Sequence, residues 1–254
     1  MKKKDRKPNL RMVGQRARLS VAEQEMINRL RADKSNRVLV IGDVHLPFGR
    51  KDYLQFCIDT YEKYRCNKVV FIGDIIDSHF GSFHVTDPDG MGGGAELELA
   101  IEQIQGWYKA FPDADVTIGN HDAIIMRKAF DSGVPAIWIK SFNDVLGTPN
   151  WRWVNDVVID DVRYVHGHKS SKARTAAKRD MQSTVTGHFH TDMYVDWMFG
   201  ARKSVFAMAV GCGIDSESYA MGYMSGGKKE ALGCGVVLDN GQTPITVKMN
   251  LGEK

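Results

Sequence analysis

The 254-residue sequence predicts an α/β protein built on parallel strands. Three short β-rich runs each end at a glycine, and they cover Arg37–Ile41, Lys68–Ile72 and Asp115–Ile118. Helical patterns lie between them, at about 51–64 and 95–111. Strands that alternate with helices are typical of a parallel sheet with crossover helices. Such sheets bind ligands beyond the carboxyl ends of their strands, so functional residues are expected directly after the three glycines.

The ends of the chain differ from this α/β pattern. Residues 1–19 are rich in Lys and Arg and predict a basic flexible arm. Ser20 and Glu23 have the spacing of a capping box, which predicts a helix over 20–33 within a short N-terminal region, 20–36. Residues 37–254 are expected to form one domain, although the fold of 211–254 stays open.

The second half of the chain is β-rich, and a helical segment precedes it. Residues 123–147 predict a helical insert in the domain. Asp160-Asp161 and Asn240-Gly241 each separate two β-rich runs and predict hairpin turns.

Composition limits the class of protein. A chain with 43% hydrophobic residues can bury one sizeable core, and no apolar run reaches the 18 residues of a membrane span. The basic N-terminus is not followed by the apolar stretch of a secretory signal. The four cysteines form no Cys-x-x-Cys pair, which indicates reduced thiols and a cytoplasmic location.

Charge is unevenly distributed along the chain. Residues 1–18 hold eight basic residues and one acid, Asp5, whereas the remaining residues hold 26 basic and 30 acidic ones. A basic arm can bind nucleic acid, and it can equally be a solvated tail. The body itself is slightly acidic.

Five short segments carry the residue types of a metal site. They are Gly42-Asp43-Val44-His45, Gly73-Asp74-Ile75-Ile76-Asp77, Gly119-Asn120-His121-Asp122, His166-Gly167-His168 and Gly187-His188-Phe189-His190. All eight histidines of the chain lie in these segments or close to one. Since side chains alternate along a strand, Asp-x-His and His-x-His place both side chains on one face. One carboxylate, such as that of Asp74, has two oxygens and can bridge two ions.

The order of these segments resembles that of the calcineurin-like metallophosphoesterase superfamily, over roughly residues 37–210. The chain's size and basic tail are similar to those of phage and bacterial members. The resemblance implies an αββα sandwich of two mixed sheets, with a dinuclear metal site at the carboxyl ends of the strands. It implies that one metal is held by Asp43, His45 and His190, that the other is held by Asn120, His166 and His188, and that Asp74 bridges them.

The resemblance also implies the chemistry. A hydroxide that bridges the two metals would attack phosphorus, and His121 would face the substrate and assist the leaving group. Asp122 and Asp77 are candidates to orient histidines, and they suit a turn or a helix cap equally well. Mixed imidazole and carboxylate ligands suit two divalent transition metals, with Mn²⁺ favoured and Fe, Zn, Ni or Co as alternatives.

Other residues are candidates to contact the substrate. They are His79 and His84 after the second segment, and His168 and Lys169 at the fourth. Lys169 begins a basic stretch that ends at Arg179, which either attracts phosphate or forms a solvated helix face. Trp138 and Phe142 in the helical insert either stack on a base or belong to the core.

The leading hypothesis is a phosphoesterase acting on small phosphoesters, either phosphodiesters or nucleotides. A DNA or RNA nuclease of the same superfamily is the alternative, with the basic arm as a contact to nucleic acid. An inactive scaffold is disfavoured because the ligand set is complete. A protein phosphatase is disfavoured because Leu46 and Asp122 stand where that branch has Gly and Glu. No membrane contact is expected, and the oligomeric state stays open.

Overall fold

The structure is a computed structural model. The described residues are 20–32, 34–83, 89–168, 172–215, 217–218 and 229–251. Two compact units separate between Ser35 and Asn36. Helix α1 (Val21–Ala32) belongs to the first unit, and Ser20 and Glu23 form the predicted capping box with backbone–side-chain hydrogen bonds of 2.8 and 3.2 Å. The helix predicted over 20–33 is therefore present, whereas the predicted arm at 1–19 lies outside the described residues.

The second unit contains a six-stranded sheet. Its strands are β1 (Val38–Ile41), β2 (Lys68–Phe71), β3 (Asp115–Thr117), β4 (Arg152–Val154), β10 (Gly233–Leu238) and β11 (Thr243–Lys248). They lie in the order β11-β10-β1-β2-β3-β4. The run from β1 to β4 is parallel, with Val38 opposite Lys68 and Val70 opposite Asp115. The parallel arrangement predicted for the first three strands is confirmed.

A second sheet has five strands. They are β5 (Asp156–Ile159), β6 (Val162–Val165), β7 (Ser183–Thr186), β8 (Met193–Phe199) and β9 (Ser204–Val210). Their order is β5-β6-β7-β9-β8, with a parallel centre and antiparallel edge strands. The predicted turn between β5 and β6 is present, and both Asp160 and Asp161 have positive φ, as a tight hairpin turn requires.

Helices cover the outer faces of the sheets. They are α2 (Tyr53–Lys63), α3 (Gly93–Ala110), α4 (Ile124–Asp131), α5 (Phe142–Leu146) and α6 (Ala173–Asp180), with 3₁₀ turns at His79–Gly81 and Ala136–Trp138. The segment 123–147, predicted to be helical, thus contains α4, a 3₁₀ turn and α5. No helix in the described ranges is both long and apolar enough to cross a membrane.

Burial on both faces of β1 explains the layers. Val38 and Val40 pack with Val185 and Phe206 in a core between the two sheets. Leu39, on the other face of β1, packs with residues of α2 and α3. On the outer face of the second sheet, α6 packs on β9 through small alanines. Because strands bury alternate residues on opposite faces, this sequence produces an αββα sandwich of two mixed sheets, as the resemblance implies.

The C-terminal stretch completes the first sheet. Strands β10 and β11 form the hairpin predicted at Asn240-Gly241, where both residues have positive φ. Strand β10 pairs antiparallel with β1, with Val237 opposite Val38. Residues that the sequence motifs left unplaced therefore cover the edge of the strand that precedes Asp43.

Candidate metal centre

Five strand ends deliver the predicted ligands to one place. Asp43 follows β1, Asp74 follows β2 and Asn120 follows β3, and since these strands are parallel, all three lie at the same edge of the first sheet. In the second sheet, β6 and β7 are also parallel, and they end just before His166 and His188. The two carboxyl edges meet, so residues far apart in the chain form one cluster.

The first ligand group consists of Asp43, His45 and His190. His190 Nε2 lies 3.1 Å from Asp43 Oδ2 and 3.1 Å from His45 Nε2. Two imidazole nitrogens at this distance share at most one proton. The two nitrogens point toward the same space, as two ligands of one metal ion do.

The second group consists of Asp74, His166 and His188, with Asn120 beside them. Asn120 Oδ1 lies 3.0 Å from His166 Nε2 and 2.8 Å from His188 Nδ1. His166 Nε2 is also 3.1 Å from Asp74 Oδ2. With His188 Nδ1 at 3.3 Å, three oxygen and nitrogen atoms lie close to His166 Nε2.

Asp74 lies between the two groups. Its Oδ2 is 3.1 Å from His166 Nε2 in the second group and 3.6 Å from His45 Nε2 in the first. Its Oδ1 accepts the backbone N–H of His121 at 2.8 Å, which fixes the orientation of the carboxylate. One carboxylate oxygen therefore faces ligands of both groups.

Burial and charge of the cluster favour cations. Asp43 and Asp74 are at most 1% exposed, and Asp43 Oδ1 is buried with no hydrogen-bond partner. A buried carboxylate oxygen of this kind needs a positive charge. Burial lowers the pKa of His166, but the charges of Asp74 and Asp43 raise it to about 10, so an imidazolium is favoured in this field. The donor set and the electrostatics both fit divalent metal ions.

Two glycines allow the strand ends to approach these carboxylates. A Cβ atom at Gly119 would overlap the Asp74 carboxylate, and one at Gly187 would overlap that of Asp43. Any larger residue at either position would displace one of these carboxylates. This contact explains why glycine precedes Asn120 and His188.

Comparison with known proteins identifies the family. The sequence model of the calcineurin-like phosphoesterase family matches residues 36–210, which is more than half of the chain. The chain belongs to this family. No curated protein matches the sequence.

Several solved structures are similar to this chain at low sequence identity. Vacuolar protein sorting 29 from Cryptosporidium parvum is 15% identical, with 87% of this chain and 95% of that chain covered and a TM-score of 0.50. YfcE, a phosphoesterase from E. coli, is 15% identical over 84% of this chain and 100% of that chain, with a TM-score of 0.40. Pseudomonas putida nuclease MPE is 13% identical, with 82% of this chain and 85% of that chain covered and a TM-score of 0.29.

Asp77 orients two histidines of this family member. Its Oδ1 lies 2.6 Å from His45 Nδ1, which leaves His45 Nε2 for the cluster. His121 Nδ1 lies 2.7 Å from the backbone oxygen of Asp77 and 3.3 Å from its Oδ1. Burial lowers the pKa of His121, but the nearby Asp74 and Asp77 carboxylates raise it more, so the net shift is upward. Of the two aspartates predicted to orient histidines, Asp77 makes such contacts.

Asp122 has a different position from the one that the sequence suggested. Its Oδ1 accepts the backbone N–H groups of Ile75 at 3.0 Å and Ile76 at 3.2 Å, and its Oδ2 accepts that of Gly119 at 2.9 Å. Burial raises the pKa of this carboxyl group to about 7. These bonds go to main-chain amides and join the loops after β2 and β3, whereas the prediction for Asp122 was a bond to a histidine. The turn-forming alternative describes it better.

The predicted substrate contacts are dispersed. His79 lies beside the cluster, with Nδ1 3.8 Å from Asp77 Oδ2, whereas His168 is exposed after β6. His84 and Lys169 lie outside the described residues. Phe142 is partly buried against the core and stacks on Trp153 at 4.2 Å between ring centroids, while Trp138 is exposed.

The basic stretch after the fourth segment is paired with acids. Lys172 lies 3.2 Å from Asp192, Arg174 contacts Asp196, and Arg179 contacts Asp180. These pairs neutralise most of the positive charge of α6. Of the two sequence interpretations, the solvated helix face is the better description.

Two supporting residues were not found by sequence reasoning. Glu96 is 1% exposed and accepts the N–H groups of His79 at 2.7 Å and Phe80 at 3.1 Å. The Tyr53 hydroxyl accepts the N–H of Gly42 at 3.1 Å and donates to a backbone oxygen of β10. An acid in the first turn of a helix after a glycine-rich loop is a signal for Glu96, but Tyr53 has no signal in the sequence.

Proposed function

We propose that this protein hydrolyses small phosphoesters, either phosphodiesters or nucleotides, with the help of two divalent transition-metal ions. The observation that carries the proposal is the position of Asp74, whose Oδ2 faces His45 Nε2 at 3.6 Å and His166 Nε2 at 3.1 Å. A carboxylate shared in this way suits a pair of ions rather than a single ion.

Seven side chains would hold the ions. They are Asp43, His45 and His190 for one ion, Asn120, His166 and His188 for the other, and Asp74 for both. Imidazole and oxygen donors together suit Mn²⁺, which we favour, as well as Fe, Zn, Co and Ni. When bound, the two ions would activate water as a nucleophile and neutralise the phosphate oxygens.

His121 would act on the leaving group. Its Nδ1 faces the backbone oxygen of Asp77 at 2.7 Å, so a proton on Nδ1 is held there and Nε2 is left for the substrate. The raised pKa of His121, in which the Asp74 and Asp77 charges outweigh burial, favours the imidazolium. Protonated His121 would donate from Nε2 to the oxygen that leaves phosphorus.

Charge favours small substrates over nucleic acid. A polymer needs a row of unpaired cations, because each neutralised phosphate adds affinity. In the described part of α6 and its neighbourhood, Lys172, Arg174 and Arg179 are each paired with an aspartate. The face of α6 therefore offers little unpaired positive charge to a polymer.

The test is a metal titration with a panel of substrates. Protein treated with a chelator should bind about two Mn²⁺ per chain and regain activity on bis-p-nitrophenyl phosphate, p-nitrophenyl phosphate or nucleotides. Single- and double-stranded DNA at low and moderate salt are the comparison. Activity that persists without metal would refute the proposal, and DNA cleavage that exceeds every small ester and collapses with salt would establish the nuclease.

A further inference from the structure

Exposed apolar side chains are concentrated in the part of the chain that flanks the third motif segment, Gly119–Asp122. Among the described residues, fourteen large hydrophobic side chains are exposed, and eight of these lie between residues 80 and 138. Ile137 is 92% exposed, Phe130 81% and Trp138 79%. Apolar surface concentrated in this way usually marks a binding site.

A cavity of about 300 Å³ lies within this apolar region. Its outer walls come from the 3₁₀ turn at His79–Gly81 and from α3, α4, the second 3₁₀ turn and α5. The apolar side chains that form these walls include Phe80, Leu97, Ile125, Met126, Trp138 and Phe142. Flexible Met126 and the branched aliphatic residues can adapt to a chain of methylenes.

The inner end of the cavity is formed by the loops that carry the proposed catalytic residues. Ser78 lines the cavity and directly follows Asp77, whose carboxylate contacts His45. Asp122 also lines it and directly follows His121. Two residues that line the cavity are therefore next in the chain to Asp77 and His121, which lie at the proposed catalytic site.

Lys140 is an exposed cation among the residues that line the cavity, and Arg127 and Lys128 directly follow the lining residue Met126 in α4. The guanidinium of Arg127 is 4.7 Å from the ring centroid of Phe83, and Lys128 Nζ is 5.4 Å from it. An apolar cavity with a cation in its lining complements a molecule that has an apolar part and an anionic part.

We propose that this cavity binds an alkyl chain of the substrate, so that the protein selects amphiphilic phosphoesters. The proposal rests on the phosphoesterase function proposed above, which fixes the position of the phosphate. The chain would extend from the phosphate past Ser78 and lie under Trp138. Substrates without such a chain would be hydrolysed with lower kcat/KM.

Binding without turnover tests the cavity separately from catalysis. Ethyl-, hexyl- and decylphosphonate have a P–C bond that a phosphoesterase does not cleave. Calorimetry on the Mn²⁺-loaded protein, below the micelle concentration, should show Kd falling up to about fourfold per added methylene until the cavity is full. Equal affinity for all three compounds would overturn the proposal.

Turnover and variants give the second test. For alkyl p-nitrophenyl phosphates, kcat/KM should rise from the methyl to the decyl ester, and Trp138→Ala should reduce the ratio of these two values by about tenfold or more. The matched control is Phe199→Ala, an equally exposed aromatic on β8, which should leave the ratio unchanged. No turnover of any ester with metal present would refute the proposed function, whereas turnover that is independent of chain length, or an equal effect of both variants, would refute this inference alone.

Discussion

At the scale of single residues, backbone strain occurs at three of the proposed ligands. His45, Asp74 and His188 have φ values of 52°, 49° and 67°, which lie in the left-handed region that residues other than glycine rarely adopt. Each of these residues follows closely after the end of a strand, and the left-handed conformation turns its side chain into the space between the sheets. Strained backbone of this kind persists where the surrounding structure holds it, which is common at functional sites.

The roles of His121 and Asp74 can be separated by substitution. His121→Ala should keep about two Mn²⁺ per chain and lose roughly 10²–10⁴ in kcat, which is the usual contribution of a positioned acid. Asp74→Ala should reduce metal content at both sites, because its carboxylate faces both groups. Elemental analysis measures the metal content of both variants, and steady-state kinetics measure their kcat. Loss of metal in His121→Ala with the remaining activity proportional to metal content would show that His121 is a ligand.

Asp122 should contribute mainly to stability. Asp122→Asn replaces one of two oxygens that accept backbone N–H groups with a donor, so we expect a loss of about 1–3 kcal/mol in the free energy of unfolding. Urea denaturation of the metal-free protein measures this loss. The control is Asp113→Asn at an exposed position, which should change little. If Asp122→Asn is as stable as the parent but inactive, Asp122 acts in catalysis instead.

At the scale of secondary-structure elements, the glycines after β3 and β7 determine how closely the strand ends meet. Gly119 lies against the Asp74 carboxylate and Gly187 against that of Asp43. The loops after β2 and β3 are further joined through Asp122. The spacing between the two metal groups therefore depends on main-chain packing as much as on the ligands themselves.

A single added methyl group should disturb this packing. Gly187→Ala places a Cβ against Asp43, so we expect roughly 10- to 100-fold weaker binding of metal or lower activity, as for other groups that position ligands. Gly94→Ala in α3 is the matched control, because a Cβ there meets no atom within 4 Å. Metal titration of both variants, with urea denaturation as a check on folding, makes the comparison. Equal metal affinity in the two variants would show that the loop shifts without consequence.

At the scale of the whole molecule, two sheets from different parts of the chain form one site. Strands β1 to β3 bring the first three segments together, and β6 and β7 bring the other two. The apolar core between the sheets, which includes Val70, Val185 and Met208, holds the two carboxyl edges in contact. The ligands at this junction all belong to the unit that begins at Asn36.

The basic arm should be dispensable for small substrates. A chain that begins at Leu19 keeps every proposed ligand, so we expect about two Mn²⁺ per chain and unchanged kcat/KM on p-nitrophenyl esters. Binding of DNA, measured on both proteins at low salt, should weaken in the truncated chain if the arm contacts nucleic acid. A truncated protein that holds its metals but does not cleave small esters would contradict this expectation.

Local sequence determined many of the strands, turns and site residues of this protein. The strands ending at Gly42, Gly73 and Gly119, the hairpins at Asp160 and Asn240, and the residue types of the seven proposed ligands are all readable from spacing and turn chemistry, because these depend on neighbours in the chain. Tertiary structure decided what depends on distant residues. It placed β10 beside β1, and it brought Asp77 to the histidines and Asp122 to main-chain amides. It also paired Arg174 of α6 with Asp196 and formed a cavity that Trp138 lines. A carboxylate's role is set by the partner that packing brings within hydrogen-bond distance, and the identity of that partner is a property of the folded chain.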